Sequence, residues 1–480
     1  MATYAELTAE IEQSPKGAHI AAFFDVDGTL VAGRTGDALF LDRLRHNQIP
    51  PSTLAWLLGL YADHRLNRTE SSQLFVRAMG ILAGTEEDAI RESGRRLYAS
   101  RISGQVYPET RELVEAHRRQ GHVVVLATSA SRYQIEPIAE DLGVTHVLCT
   151  ELEVEDGKLT GKLTRNLWGE GKLDAVLRWA AKASIDLDQS WFYANGNEDI
   201  LLLERVGCPR ALNPDGKLAK IAQSRRWPTA AWKSRGGVIS PVTVTRTVAA
   251  MWSSLPSFAA AVPAGVLNRD RRMIFELGSG TWGDFAAAIA GVTLNVIGRE
   301  NLWKQRPAVF IINHQSTLDG IIAMKLFRDG RYTLVMKKEV ANFPLFGPFF
   351  KLADPVFIDR KNTQSAIEAL QPAVERVQQG YSVCMAPEGH RSSGRGLQTF
   401  KKGAFRVAMA AHAPIVPVVI RNAGDLMPRR SMLIRPGTVD VCVLPAISVE
   451  DWTHDDLDER IEEIRQLFIG TLENWPGRGT

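Results

Sequence analysis

Cysteine is scarce in this chain. Cys149, Cys208, Cys384 and Cys442 are the whole complement, and no two stand at the spacing of a metal-binding pair. That argues against a disulfide framework or structural zinc and favours a reducing cytosol. Charge of one sign is lacking too. With 57 basic and 54 acidic residues the net charge is only +3, so there is no global signal for nucleic acid. No internal repeat and no low-complexity tract occurs. The first residues, MATYAELTAEIEQSPKG, are polar and acidic, unlike a signal peptide. A membrane-spanning helix needs about 20 apolar residues in one stretch. The longest candidate, residues 238–267, is interrupted by Pro241, Pro256, Pro263 and Arg246.

What is present is an ordinary globular balance, 45% hydrophobic and 23% charged, over 480 residues. That length calls for two or more cores. From about residue 18 to 224, short apolar runs (Ile20–Phe24, Val123–Ala127, Trp191–Ala194) each stop at a polar or glycine-rich turn before a helical pattern. This is the grammar of an α/β doubly wound parallel sheet with its site at the carboxyl ends of the strands. Residues 1–17 read as an extension, and about 34–104 as a helical insert after the first strand. A second α/β region runs from 281 to 472, with strands at Ala308–Ile312, Ser382–Ala386, Ile415–Ile420 and Val439–Val443, before a tail at 473–480. "GSGTWG" at 278–283 matches a dinucleotide-loop pattern but does not open a βαβ unit, so it is discounted.

Between the two regions the composition shifts. Residues 225–280 carry Arg225, Arg226, Lys233, Arg235, Arg246, Arg269, Arg271 and Arg272, with Trp227, Trp232, Trp252 and Phe258 interleaved. Two readings stand side by side: a membrane-surface element with cations on anionic headgroups, or an interdomain linker with helices packed on either core.

"FFDVDGTLV" (23–31) sets Asp25 and Asp27 just past a buried strand. Two close carboxylates repel unless a cation lies between them, and Mg²⁺ is the natural filler. One carboxylate can attack phosphorus while the other trades protons with the leaving group. Further on come Thr128 in "VVVLATSAS", Lys172 in "GEGKLDAVLRW", "YANGNED" at 193–199 and "LNPDGKL" at 212–218. In that order the motifs resemble the haloacid dehalogenase-like phosphatases, of the phosphoserine phosphatase-like subgroup with a small helical cap. The resemblance implies Asp25 as nucleophile, Asp27 as acid and base, Thr128 and Lys172 on the phosphoryl group, and Mg²⁺ on Asp25, Asp27, Asn195 and Asp199. Two departures stand out. Asn195 replaces a metal-binding aspartate of the family, and "TSAS" replaces the glycine pair that phosphoserine enzymes carry.

"FIINHQSTLDG" (310–320) ends another buried strand with His314 and Asp319. Across a turn, a carboxylate can fix the imidazole's tautomer so that its other nitrogen takes a proton from an alcohol. "KKEVANFPLFG" (337–347), "VFIDR" (356–360), "APEGHRS" (386–392), "FKKGAF" (400–405) and "APIVPVVI" (413–420) follow. Together these resemble the glycerolipid acyltransferases, in particular 1-acylglycerol-3-phosphate acyltransferases. The resemblance implies His314 as general base, Asp319 as its orienter, and Glu388 and Gly389 shaping the acceptor site. Arg391 would grip the acceptor phosphate with Lys337 or Lys338 and Arg360. Lys401 and Lys402 are equally compatible with a solvated loop.

The expectation is a fusion. The carboxyl-terminal half would transfer an acyl chain from acyl-CoA or an acyl carrier to a lysophospholipid, at the cytoplasmic face of the membrane. The amino-terminal half would be a Mg²⁺-dependent phosphatase acting on a glycerolipid phosphate. The alternatives are a catalytically weak amino-terminal scaffold, an acceptor that is glycerol 3-phosphate or a phosphoinositide-type lipid, and phosphoserine as the phosphatase substrate.

Overall fold

The computed structural model describes residues 3–46, 79–235, 240–328, 330–338, 370–391, 396–428 and 431–477, with 49, 53, 55, 56, 76, 342, 347 and 356–358. Arg360 and most of "NFPLFGPFF" (342–350) therefore lie outside the described residues, as does most of the expected cap between 47 and 78. The chain divides into two compact units, Met1–Val238 and Ile239–Thr480.

The first unit is built on β1 (Ala21–Phe24), β2 (Val123–Ser131), β3 (His146–Glu155), β4 (Lys158–Arg165), β5 (Trp191–Ala194), β6 (Cys208–Leu212) and β7 (Thr229–Ala230). Their order is β4-β3-β2-β1-β5-β6-β7, and every pair is parallel except β3 with β4. Neighbouring side chains on β1 serve different cores. Ala22 and Phe24 join the layer that includes Leu113 and Ile135, whereas Ala21 and Phe23 join the one that includes Val176 and Leu203. A strand buried on both faces reads as a continuous apolar run for this reason.

Residues 1–17 are part of this unit rather than an appendage. The helix Tyr4–Glu12 buries Leu7 and Ile11 in its core. His122 is linked to the Pro15 carbonyl through Nε2 and to His117 through Nδ1, and His117 reaches the Tyr193 hydroxyl. Of the cap, Thr35–Arg45 and Glu87–Ser100 are helical.

The second unit has β8 (Val292–Ile297), β9 (Val309–Ile312), β10 (Tyr332–Lys337), β11 (Val356–Ile358), β12 (Ser382–Met385), β13 (Ile415–Ile420) and β14 (Gly437–Val443), in the order β11-β10-β12-β9-β13-β14-β8. Strands β11, β10, β12, β9 and β13 are parallel. The pair β13–β14 is antiparallel, so β14 and β8 reverse direction.

The segment 225–280 does not form a separate linker. β7 completes the first sheet, and residues 241–290 belong to the second unit as the helices Pro241–Trp252, Ser254–Leu267 and Arg271–Ala290. The prolines interrupt less than the sequence suggests. Pro241 and Pro256 stand in first turns, where a missing N–H costs nothing. Only Pro263 lies well inside a helix. "GSGTWG" is helical, and its glycines let Phe258, Arg328 and Lys325 approach closely.

Candidate active sites

In the first unit, parallel β1, β2 and β5 end on one edge and bring Asp25, Thr128 and Asn195 there. Lys172 comes from the helix Glu170–Lys182, and Asp199 from the turn Asn197–Asp199. The Lys172 ammonium lies 3.0 Å from Asp25 Oδ1 and 2.6 Å from Asp199 Oδ1, with all three residues buried. Burial works against its charge, but Asp199 and Asp25 outweigh that and hold Lys172 above the ordinary lysine range. Burial also pushes the Asp199 carboxyl up, against the pull of Lys172. Thr29 Oγ1 lies 3.3 Å from Asp25 Oδ2 and 3.2 Å from Asn195 Oδ1, so its single proton is shared between them. Gly28, at φ +83°, makes room for this arrangement. A Cβ there would meet the Asn195 amide nitrogen at 2.1 Å.

The carboxyl of Asp27 is engaged elsewhere than expected. The Thr35 amide donates to its Oδ1 at 2.9 Å, and the Thr35 hydroxyl lies 3.2 Å from Oδ2. Gln134 Nε2 donates to that hydroxyl, while Ser131 N–H and Oγ both donate to Gln134 Oε1. Burial, with the Asp25 charge adding to it and the Thr35 amide opposing, pushes Asp27 up to about 7. That suits a proton carrier. Held by Thr35, the Asp27 carboxylate does not complete a shared carboxylate set, and among the described residues no group of three His, Cys, Asp or Glu is placed to hold a metal ion. The donors that remain together are Asp25, Asn195 and Asp199. The carboxylate oxygens of Asp199 are buried without a hydrogen-bond donor, apart from their ion pair with Lys172. Orphaned carboxylate oxygen beside an amide oxygen is compatible with a hard cation, though with one charge fewer than a three-carboxylate site. Thr128 is fully buried, and its hydroxyl accepts the Ala130 amide at 3.2 Å.

In the second unit the sheet order explains why distant motifs meet. β10, β12 and β9 are adjacent and parallel, so the segments after them, with Lys338, Glu388 and His314, leave the same edge. Asp319 lies in the first turn of the helix Leu318–Phe327 and is fully buried. Its Oδ2 accepts His314 Nδ1 at 2.8 Å, Gln315 N at 2.7 Å and Ser316 N at 2.8 Å. An ionised oxygen facing two amides and a ring nitrogen puts the imidazole proton on Nδ1, which makes Nε2 the basic nitrogen. Asn313 ties the loop to β13 through the Ile420 N–H and C=O, both at 2.7 Å.

Arg391 Nη1 donates to Thr317 Oγ1 at 2.5 Å, bringing a guanidinium onto the His314 loop. Glu388 is buried, and burial pushes it up to about 7. Its two oxygens accept His314 N at 2.6 Å and Gln398 N at 2.9 Å. Gly389, at φ +76°, has the Lys401 side chain against it, about 3.0 Å from where a Cβ would stand. Lys402 pairs with Asp458 at 2.8 Å, which favours a structural role. Lys338 is exposed at the end of β10.

Several participants were not singled out from the sequence. Gln134 was readable as the third helical residue of a capping box that opens on Ser131. Thr29, Thr35, Thr317 and Gln398 carry no local signal, since only the fold brings them to their partners.

The model for haloacid dehalogenase-like hydrolases matches residues 22–204, and the acyltransferase model matches 293–421. A 1-acyl-sn-glycerol-3-phosphate acyltransferase of Limnanthes alba is 34% identical over 183 residues, 38% of this chain and 64% of the relative. The chain thus spans somewhat under two thirds of that relative's length. A probable phosphatase of Mycobacterium tuberculosis is 31% identical over 227 residues, 45% of this chain and 78% of the relative. An uncharacterised acyltransferase of Schizosaccharomyces pombe is 33% identical over 190 residues, 39% of this chain and 68% of the relative. The chain belongs to the haloacid dehalogenase-like hydrolases through its amino-terminal unit and to the acyltransferase family through its carboxyl-terminal unit.

Proposed function

We propose that the carboxyl-terminal unit acylates 1-acyl-sn-glycerol 3-phosphate from acyl-CoA, giving phosphatidate and CoA. The observation that carries the reading is the buried Asp319 carboxylate on His314 Nδ1, with Arg391 bonded to the same loop. His314 Nε2 takes the proton as the acceptor hydroxyl attacks the thioester carbonyl. The proton then passes to the departing CoA thiolate, so no covalent acyl-enzyme is required. Arg391 offers a planar pair of donors suited to the acceptor phosphate. Lys338, and Lys337 and Arg360 at positions whose side chains lie outside the described residues, would add positive charge.

A membrane surface is the proposed setting, at the cytoplasmic face as a peripheral or monotopic protein. Pro241–Leu267 is 27 residues long and, by length and composition, apolar enough to cross a bilayer, yet only 33% of its apolar window is buried. Val244, Val248 and Trp252 recur at four-residue intervals on one helical face, and all are exposed. Arg246 stands in the same helix. Such a face suits a lipid interface better than a second protein core.

The amino-terminal unit is proposed to be a phosphomonoesterase working through an aspartyl-phosphate. Asp25 attacks phosphorus, Asp27 protonates the leaving oxygen, and Asp27 then takes a proton from the water that cleaves the acyl phosphate. Lys172 offsets the charge of the nucleophile and the phosphoryl group. Mg²⁺, held by Asp25, Asn195 and Asp199, would supply further neutralising charge. A glycerolipid phosphate is the favoured substrate class because one chain carries both units. The weak-scaffold reading rests on Asn195, which brings no charge to that site.

Three outcomes follow. His314→Ala lowers acyl transfer from radiolabelled acyl-CoA to lysophosphatidate by about 10²–10⁴, the worth of a general base; a rate within a few-fold of wild type removes His314 from that role. Asp25→Asn abolishes phosphate release from a panel of phosphatidate, lysophosphatidate, glycerol 3-phosphate and phosphoserine, while Asn195→Asp lowers the Mg²⁺ concentration giving half-maximal rate. Release from phosphoserine alone would exclude the lipid substrate. Val248→Asp with Trp252→Asp weakens binding to anionic phospholipid vesicles at least about tenfold, because each side chain is worth about 1.5–3 kcal/mol on full burial.

A further inference from the structure

Glu388 lies in the segment that the family resemblance assigns to acceptor binding, but its surroundings point to a different task. The residue is 1% exposed. One carboxylate oxygen accepts the main-chain N–H of His314 at 2.6 Å, and the other accepts that of Gln398 at 2.9 Å. The Lys401 amide bonds back to the Pro387 carbonyl at 2.9 Å. Two loops, one after β9 and one running into residues 396–401, are thereby fastened to the end of β12. Among the described residues the Glu388 carboxylate ties the two loops directly.

Two of the bonds that hold His314 bear on its geometry. Its ring is held by Asp319 through Nδ1, and its main chain by Glu388. The first bond sets the tautomer. The second sets where the ring pivots, and so where Nε2 stands relative to a hydroxyl approaching from the Arg391 side. We infer that Glu388 is a positioning residue for the general base and does not contact the acceptor. The inference rests on the acyltransfer reading above.

The chemistry of the clamp is specific to a carboxylate. Facing two N–H donors demands two acceptor oxygens. Glutamine offers one oxygen and one NH₂, so Glu388→Gln keeps the shape while setting a donor against a donor at one end. Aspartate is one methylene shorter and reaches only one loop.

Steady-state kinetics separate the two roles. Glu388→Gln lowers kcat by about tenfold to 10²-fold, because misplacing a reacting group by about 1 Å has an effect of that order. The acceptor KM stays within about threefold of wild type, since uniform binding is untouched. Arg391→Ala provides the contrast, raising the acceptor KM. If Glu388→Gln raises the acceptor KM about tenfold at unchanged kcat, Glu388 contacts the acceptor and the inference is wrong. Full activity at unchanged KM overturns it as well.

A second measurement is independent of turnover. In protein labelled with ¹⁵N-histidine, the His314 amide proton, assigned through His314→Gln, resonates downfield in the wild type as a short bond to a carboxylate requires. It moves upfield in Glu388→Leu, which removes both acceptor oxygens. An unshifted amide sinks the clamp even if acyl transfer is intact. Conversely, a shifted amide in a chain that transfers no acyl group keeps the clamp and discards the proposed reaction. If Glu388→Leu does not fold, the wild-type resonance decides alone: a His314 amide in the ordinary range overturns the inference.

Discussion

A carboxylate taken out of water must be matched by donors, or its burial costs several kcal/mol. Both units place such groups beyond the ends of parallel strands, and the surrounding loops take the shapes that satisfy them. Asp319 draws two consecutive main-chain amides and an imidazole onto one oxygen. Glu388 draws in two more amides from different loops. In the other unit, Asp25 and Asp199 share one buried ammonium. The loop geometry at each site is in large part the geometry of these bonds, which is why His314 and Asp25 are oriented before any ligand arrives.

The two sites meet this demand differently, and the difference bears on their chemistry. Asp25 is met by a cation, the buried Lys172 ammonium, which balances its charge. Asp319 is met by neutral amides and one imidazole, which fixes the orientation of the His314 ring. Asp27 is met by Thr35, and burial, with Asp25 adding repulsion, raises its carboxyl to about 7. Asn195 takes part in this balance through Thr29, which shares one proton between it and Asp25.

Much of this was legible in the chain. The buried strands are continuous apolar runs, because sheets covered on both faces have no polar side, and each run ends where a polar motif begins. The pairing of His314 with Asp319 follows from five residues spanning a turn into a helix. Other features were hidden because they depend on what packs against what. Residues 225–280 are basic and proline-punctuated like a linker, yet Pro241 and Pro256 fall at helix starts, and the helices Ser254–Leu267 and Arg271–Ala290 pack closely enough that Gly278 faces Phe258. Asp27 seemed paired with Asp25 by a spacing of two, but β1 stops at Phe24, so the alternation that spacing assumes does not extend to it.

The sequence by itself determined the family membership, the two sheets and which residues are candidates for the chemistry, because those depend on residue type and local order. Only the tertiary structure decided the partners. Lys172 lies 147 positions from Asp25, and Glu388 lies 74 from His314. Contacts at such separations depend on which strands become neighbours. The sheet order β10-β12-β9 brings Glu388 within a hydrogen bond of the His314 main chain, a contact that no local motif announces.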